Sequence, residues 1–226
     1  MLTPPEWAAV GLSLKVGVAA TLATLPIAYA LAYVLARRRF PGRLLLDAVV
    51  HLPLVLPPVV TGYLLLIAFG RGGPLGGLGD AVLFRWTGAA VAAALMALPL
   101  MVRAMRLSIE AVDRRLVGAA RTLGASRWRA FATIILPLSL PGILGGAVLG
   151  FAKSMGEFGA TITFVSNIPG ETQTLPLAIY GLLQVPGAEP QVVRLALLSI
   201  ALSLGALLVS ELLVRRAVQH RDSDAI

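Results

Sequence analysis

Few residues in this 226-residue chain have the type and spacing to do chemistry, and each set stops short of a complete site. Lys153 and Ser154 adjoin, the pair used by serine–lysine hydrolases, but neighbours on a helix point about 100° apart, a poor arrangement for direct proton transfer. The same lysine follows Gly150-Phe151-Ala152, whereas a phosphate-cradling loop needs glycine immediately before the lysine. The chain is therefore not expected to bind and split ATP by itself. Asp47 and His51 are four apart and share a helical face. The other histidine, His220, lies in the C-terminal tail and cysteine is absent, so neither a metal site nor a disulfide framework is expected. No two carboxylates within apolar runs share a face as a proton relay requires. Neither a self-contained enzyme nor a cofactor carrier is expected.

The elements that position these residues must be apolar. Hydrophobic residues make up 58% of the chain and charged residues 13%, with a mean hydropathy of +0.86. Soluble domains carry roughly 25% charged residues, so an ordinary soluble enzyme and a disordered chain are both excluded. The net charge is +8, but the basic residues fall between long apolar runs and form no single solvated face, so nucleic acid is not an expected partner. About 20 apolar residues cross a bilayer core of about 30 Å as a helix. Five runs meet this length, at about 10–36, 44–69, 88–102, 134–152 and 192–214. The expected fold is an all-α polytopic membrane protein forming one transmembrane domain.

Arginine placement orients it. Arg37, Arg38, Arg39 and Arg43 follow the first span, seven arginines from Arg103 to Arg129 separate the third from the fourth, and Arg215, Arg216 and Arg221 follow the fifth. With these 14 of 19 basic residues inside, only Arg71, Arg85, Lys153 and Arg194 face out. Short basic loops stay cytoplasmic, so the N-terminus is expected outside and the C-terminus in the cytoplasm of an inner-membrane protein. Ala28-Tyr29-Ala30 looks like a cleavage site, but the first seven residues hold no basic residue and the apolar run continues to Arg37, so the segment is read as a retained span. Lys15, inside that span, is expected to snorkel outward.

Irregular positions could line a path. Pro53, Pro57 and Pro58 interrupt the second span, either as a packed kink or as a wall of a translocation pathway. His51 reads as an interfacial residue. Residues 155–163 mix glycine and hydroxyls with apolar side chains, residues 166–171 read as a loop, and Leu175 to Leu183 is too short to span, so it reads as a surface or re-entrant helix, a gate or a cap. Gly146 and Gly150 form a small-xxx-small pair for close helix packing or dimer contact.

The segment 110–133 holds the most information. Val112, Leu116, Ala119 and Leu123 line one helical face, Arg114, Arg115 and Arg121 project elsewhere, and Gly124 ends the helix. Such a helix can lie on lipid headgroups or lay its stripe in a protein groove. Ala119-Ala120-Arg121-Thr122-Leu123-Gly124, nine residues, then Ile134-Ile135-Leu136-Pro137 resembles, without a gap, the EAA loop of ABC importer permeases. Gly118 stands where that pattern has its glutamate. The resemblance covers nearly the whole chain: Ser13-Leu14-Lys15-Val16, the run from His51 to Val60, the run from Gly156 to Phe164 and Ser166 to Thr172 are similar to the molybdate permease branch, with sulfate permeases sharing a related Glu-Phe-Gly-Ala and Gly-Glu-Thr pattern.

The resemblance implies a permease working as a homodimer with a pathway on its two-fold axis. A pair of separate cytoplasmic ATPase subunits would dock beneath it, and an external molybdate-binding protein would deliver the anion. It implies coupling to the ATPase through Arg115, Leu116, Ala119, Ala120, Leu123 and Gly124. A dianion leaves water only where donors replace its hydration, so the path must be polar. Thr61, Ser154, Thr161 and Thr163 are the candidate pathway hydroxyls, each of which could instead serve helix packing. Glu157 would repel the substrate and is expected to cap or pair. The expected function is molybdate import, with tungstate accompanying it. The alternatives are sulfate or another oxyanion and, from another class, a secondary transporter.

Overall fold

The computed structural model describes residues 3–223, with side chains through Gly205 and then only at Leu208 and Leu212. Arg215, Arg216, His220 and Arg221 therefore lie outside the described side chains, and Leu2 outside the described backbone. The first helix, α1, is Pro4–Arg37, about 51 Å long at 1.5 Å per residue. Pro4 and Pro5 occupy its first turn, where a missing N–H costs no helical bond, and the Thr3 N–H donates to Glu6 Oε2 at 2.6 Å. Gly42, with φ +90°, turns the chain into α2, Arg43–Val55.

Helix α2 ends at an elbow before α3, Pro58–Phe69, and the two axes are bent by 112°. Pro57 forces Leu56 into extended backbone (ψ 143°), and neither Pro57 nor Pro58 can donate to a preceding turn. The run read as one span over 44–69 is thus a broken pair. A 3₁₀ turn at Gly76–Leu78 and α4, Gly79–Val82, lead to α5, Trp86–Ala111. Helix α5 continues past the expected end at 102, so Arg103 and Arg106 belong to a helix and not to a loop.

Next come α6, Arg114–Thr122, and α7, Arg127–Ala130. A π-helical turn at Phe131–Ile135 and α8, Leu136–Leu138, precede α9, Leu140–Met155, at a 61° bend. The fourth apolar run is therefore also angled. Buried Ser139 sits at the bend, its Oγ 2.9 Å from the Tyr29 hydroxyl. Helices α10, Gly159–Val165, α11, Leu175–Leu182, and α12, Glu189–Ser223, complete the chain, with no strand among the described residues. By length and hydropathy α1 and α5 can each span a bilayer, and each bent pair qualifies if taken as one span.

Helices α1, α5 and α9 form the centre, with α3 and α10 packed together beside α5 and α12 against α9. Small side chains permit this. Ala28 and Ala32 of α1 and Ala89, Ala92 and Ala97 of α5 are fully buried. Gly142, Gly146 and Gly150, one turn apart on α9, meet Ser108, Met105 and Met101 of α5. The small-residue pair is thus used within the chain. Leu175 and Leu177 of α11 are fully buried, and the Leu175 N–H donates to Ser13 Oγ at 2.6 Å. The short helix is wedged against α1 and α12 and is no free surface element.

Candidate functional site

Helix α6 lies at the end of the bundle reached by Arg37, some 36 Å along α1 from the Ser13 level where α11 packs. Its start is built from three side chains. Asp113 Oδ1 accepts the Arg115 N–H at 2.8 Å and caps the first turn. Arg37 Nη2 donates to the carbonyls of Ile109 and Val112, both at 2.8 Å, closing the C-terminus of α5. Arg106 donates to both Asp47 oxygens (3.1 and 3.2 Å) and to Glu110 Oε1 (2.9 Å), which holds α2 on α5 just above. Gly124, at φ +91°, ends α6, and Ser126 Oγ caps α7 by accepting the Arg129 N–H.

Between these fixed ends α6 rests on the bundle through Val117, which packs on the core around Leu35, Val50 and Ile109. Leu116 is 49% exposed and Leu123 88%, and Arg115, Ala119 and Gly124 are exposed with them, while Ala120 is half-buried. The apolar stripe thus points away from the protein, with one departure from expectation. Val112 precedes the helix and is buried as the cap of α5. Gly118 is exposed, and a Cβ there would meet nothing within 4 Å. No steric reason accounts for glycine at that position.

The candidate pathway hydroxyls are distributed over three helices. Thr61 on α3 and Ser154 on α9 are buried, and neither hydroxyl has a partner. Thr161 on α10 is buried, and half-buried Thr163 donates to the Gly159 carbonyl at 2.9 Å. A Cβ on Gly62 would lie 2.5 Å from the Ala160 carbonyl and 2.9 Å from Thr163 Cβ, so α3 and α10 cross in contact beside Thr61. Glu157 is 3% exposed, bonded to Lys153 Nζ at 2.6 Å and to the Ala160 N–H at 3.0 Å. It both caps and pairs, as its charge demanded.

His51 Nδ1 lies 2.8 Å from the Asp47 carbonyl, and among the described residues no group of three metal-ligating side chains exists. Lys15 sits over the Trp86 ring, 3.7 Å from its centroid, so its charge is held by an aromatic face. The bracing residues Arg37 and Arg106 carried no sequence signal beyond their charge. Which arginine of a basic run bends back onto a carbonyl depends on where the partner helix ends.

Residues 25–219 match the family described as binding-protein-dependent transport system inner membrane components. The chain belongs to that family. It is an inner-membrane component of a transport system, and its helices long enough to span agree. The molybdenum transport system permease protein ModB of Escherichia coli K12 is 59% identical over 95% of this chain and 96% of its own length. ModB of Haemophilus influenzae is 58% identical over 93% of this chain and 94% of its own. The sulfate transport system permease protein CysT of Escherichia coli K12 is 39% identical over 68% of this chain and 57% of its own. The fold is shared with a bacterial ABC transporter involved in importing the acidic polysaccharide alginate, at a TM-score of 0.76 and 17% identity over 95% of this chain and 80% of that one.

Proposed function

We propose that this permease component imports molybdate, and with it tungstate, through a homodimer energised by a separate ATPase. The observation that carries the substrate reading is the 59% identity over 95% of the chain to a molybdenum permease, against 39% over 68% to a sulfate permease. Molybdate and sulfate are both tetrahedral dianions that differ in size, so the separating contacts need only small differences in geometry. An external molybdate-binding protein selects and delivers the anion. The N-terminus and α11 lie outside and α6 lies in the cytoplasm, consistent with the excess of arginine at the α6 end.

Helix α6 is the coupling element. Leu116, Ala119 and Leu123 enter a groove of the ATPase, Arg115 flanks them, and Ala120 and Gly124 set the close approach and the turn. Support comes from the uncovered apolar face on a helix whose two ends are capped and whose base is braced by Arg37. The ATPase performs the hydrolysis that this chain has no phosphate-binding loop to perform. Movement of α6 passes through the α5 terminus to the bundle, and the π turn and the Ser139 bend supply the joints on the following side.

The pathway runs between two copies. Thr61 and Ser154, buried without partners in one chain, supply hydroxyls there with Thr161 and Thr163, and Glu157 is neutralised by Lys153. Uptake of radiolabelled molybdate, with sulfate as competitor, in cells carrying permease, ATPase and binding protein is the test. Uptake resisting a large sulfate excess is expected, and efficient suppression by sulfate would overturn the substrate reading. Loss of the ATPase from the purified complex when the α6 face is altered tests the coupling reading.

A further inference from the structure

Two cavities meet at Arg38, and their linings differ in kind. One, of about 490 Å³, is walled by Pro26, Tyr29, Tyr33, Trp128 and Phe131, with Arg38 and Arg127 at its edge. Its aromatic wall is ordered: Trp128 stacks on Phe131 at 5.2 Å, and Tyr33 meets the same ring edge-on at 5.2 Å. The other, of about 440 Å³, is lined by Arg37, Arg38, Arg39, Arg43 and Arg114 with Glu110 as the one carboxylate. Glu110 is already engaged by Arg106. Among the described residues the side chains of Arg38, Arg39, Arg43, Arg114 and Arg127 have no ion pair, and Arg37 Nε is buried without a partner.

We propose that the joined cavities hold one anionic phospholipid, its phosphate among the arginines and an acyl chain along the aromatic wall. The dimensions agree. Pro26 to Arg38 covers about 18 Å of helix, close to the roughly 15 Å thickness of one leaflet's hydrocarbon. The polar lining sits at the chain end of α1, where the span ends, and the apolar lining runs back along α1 into it. Arginines that only set topology need no cavity. Here five converge on one with a single carboxylate, Glu110, already bonded to Arg106, and basic pockets at helix ends take lipid headgroups in this way. The site touches both sides of the coupling element, through Arg114 on α6 and through Trp128 and Phe131 after it. The lipid therefore braces α6 against the bundle. Nothing in this reading depends on which anion is transported.

The chain has three tryptophans, so full-length protein carrying Trp7→Phe and Trp86→Phe reports from Trp128 alone. In phosphatidylcholine vesicles, dibrominated phosphatidylglycerol should quench Trp128 at a mole fraction about fivefold lower than dibrominated phosphatidylcholine does. Arg38→Gln with Arg43→Gln should abolish that preference, while Arg71→Gln, at the other end of the bundle, should leave it. Equal quenching by both lipids with native arginines overturns the proposal, even if the double variant fails to fold. Relief of quenching by millimolar inorganic phosphate would assign the pocket to a free anion and refute the lipid. Relief on adding the purified ATPase would assign the groove to that protein, with the same consequence.

Discussion

Leu123→Asp separates a docking surface from a structural one, because the isolated chain places almost no demand on that side chain. Leu123 is 88% exposed and lies just after the last residue of α6, so the substitution removes little buried area and no hydrogen bond of its side chain. Exposed substitutions of this kind change stability by about 0.5 kcal/mol or less. If the leucine enters a groove of the ATPase, the loss is of another order. Full burial of a leucine contributes about 1.5–3 kcal/mol, and an unpaired carboxylate in the same groove adds a desolvation cost. A loss of at least about 2 kcal/mol weakens docking roughly thirtyfold. Membrane insertion and thermal stability in detergent should match the native chain, while the ATPase no longer co-purifies and uptake of labelled molybdate collapses. Leu116→Asp should act in the same direction with a smaller effect, since Leu116 is 49% exposed. Native uptake and native co-purification in Leu123→Asp would refute the docking of this face.

Arg37→Gln removes two charge-assisted bonds to the Ile109 and Val112 carbonyls, each contributing about 1.5–3 kcal/mol; ATP hydrolysis should persist while anion uptake per ATP falls, as measured in proteoliposomes. Gly142→Ala places a methyl 2.2 Å from Ser108 Cβ and should destabilise the α5–α9 contact by about 1–3 kcal/mol, whereas Gly145→Ala, with nothing within 4 Å, should not; thermal unfolding in detergent compares them. Gly118→Ala meets open space in a helix and should stabilise α6 by about 0.5–1 kcal/mol, read as slower proteolysis of the 110–133 loop. Single cysteines replacing Ser126 and Ser166, in a chain with no native cysteine, should divide by side: an impermeant thiol reagent applied to intact cells labels the second and misses the first, and the reverse would invert the proposed orientation.

The apolar runs, the arginine distribution and the Gly124 stop were legible because each is a property of local composition. A bilayer demands about 20 apolar residues per helix, and a left-handed residue after a helix demands glycine, whatever the rest of the chain does. The loop resemblance at Ala119–Pro137 was legible for the same reason, being a fixed spacing along one strand of text. Even the elbow before Pro58 was announced by its prolines, though not its angle of 112°. The angle, the bend at Ser139 and the length of α5 were decided by contacts between residues far apart in the chain. Arg106 reaches Asp47 across 59 positions and Tyr29 reaches Ser139 across 110, and no window of local sequence contains both partners. The direction in which α6 turns its stripe belongs to the same class. Periodicity showed that Leu116, Ala119 and Leu123 share a face, but only packing of Val117 on the bundle decided that this face is the one left uncovered. A helix has no inside until a neighbour provides one.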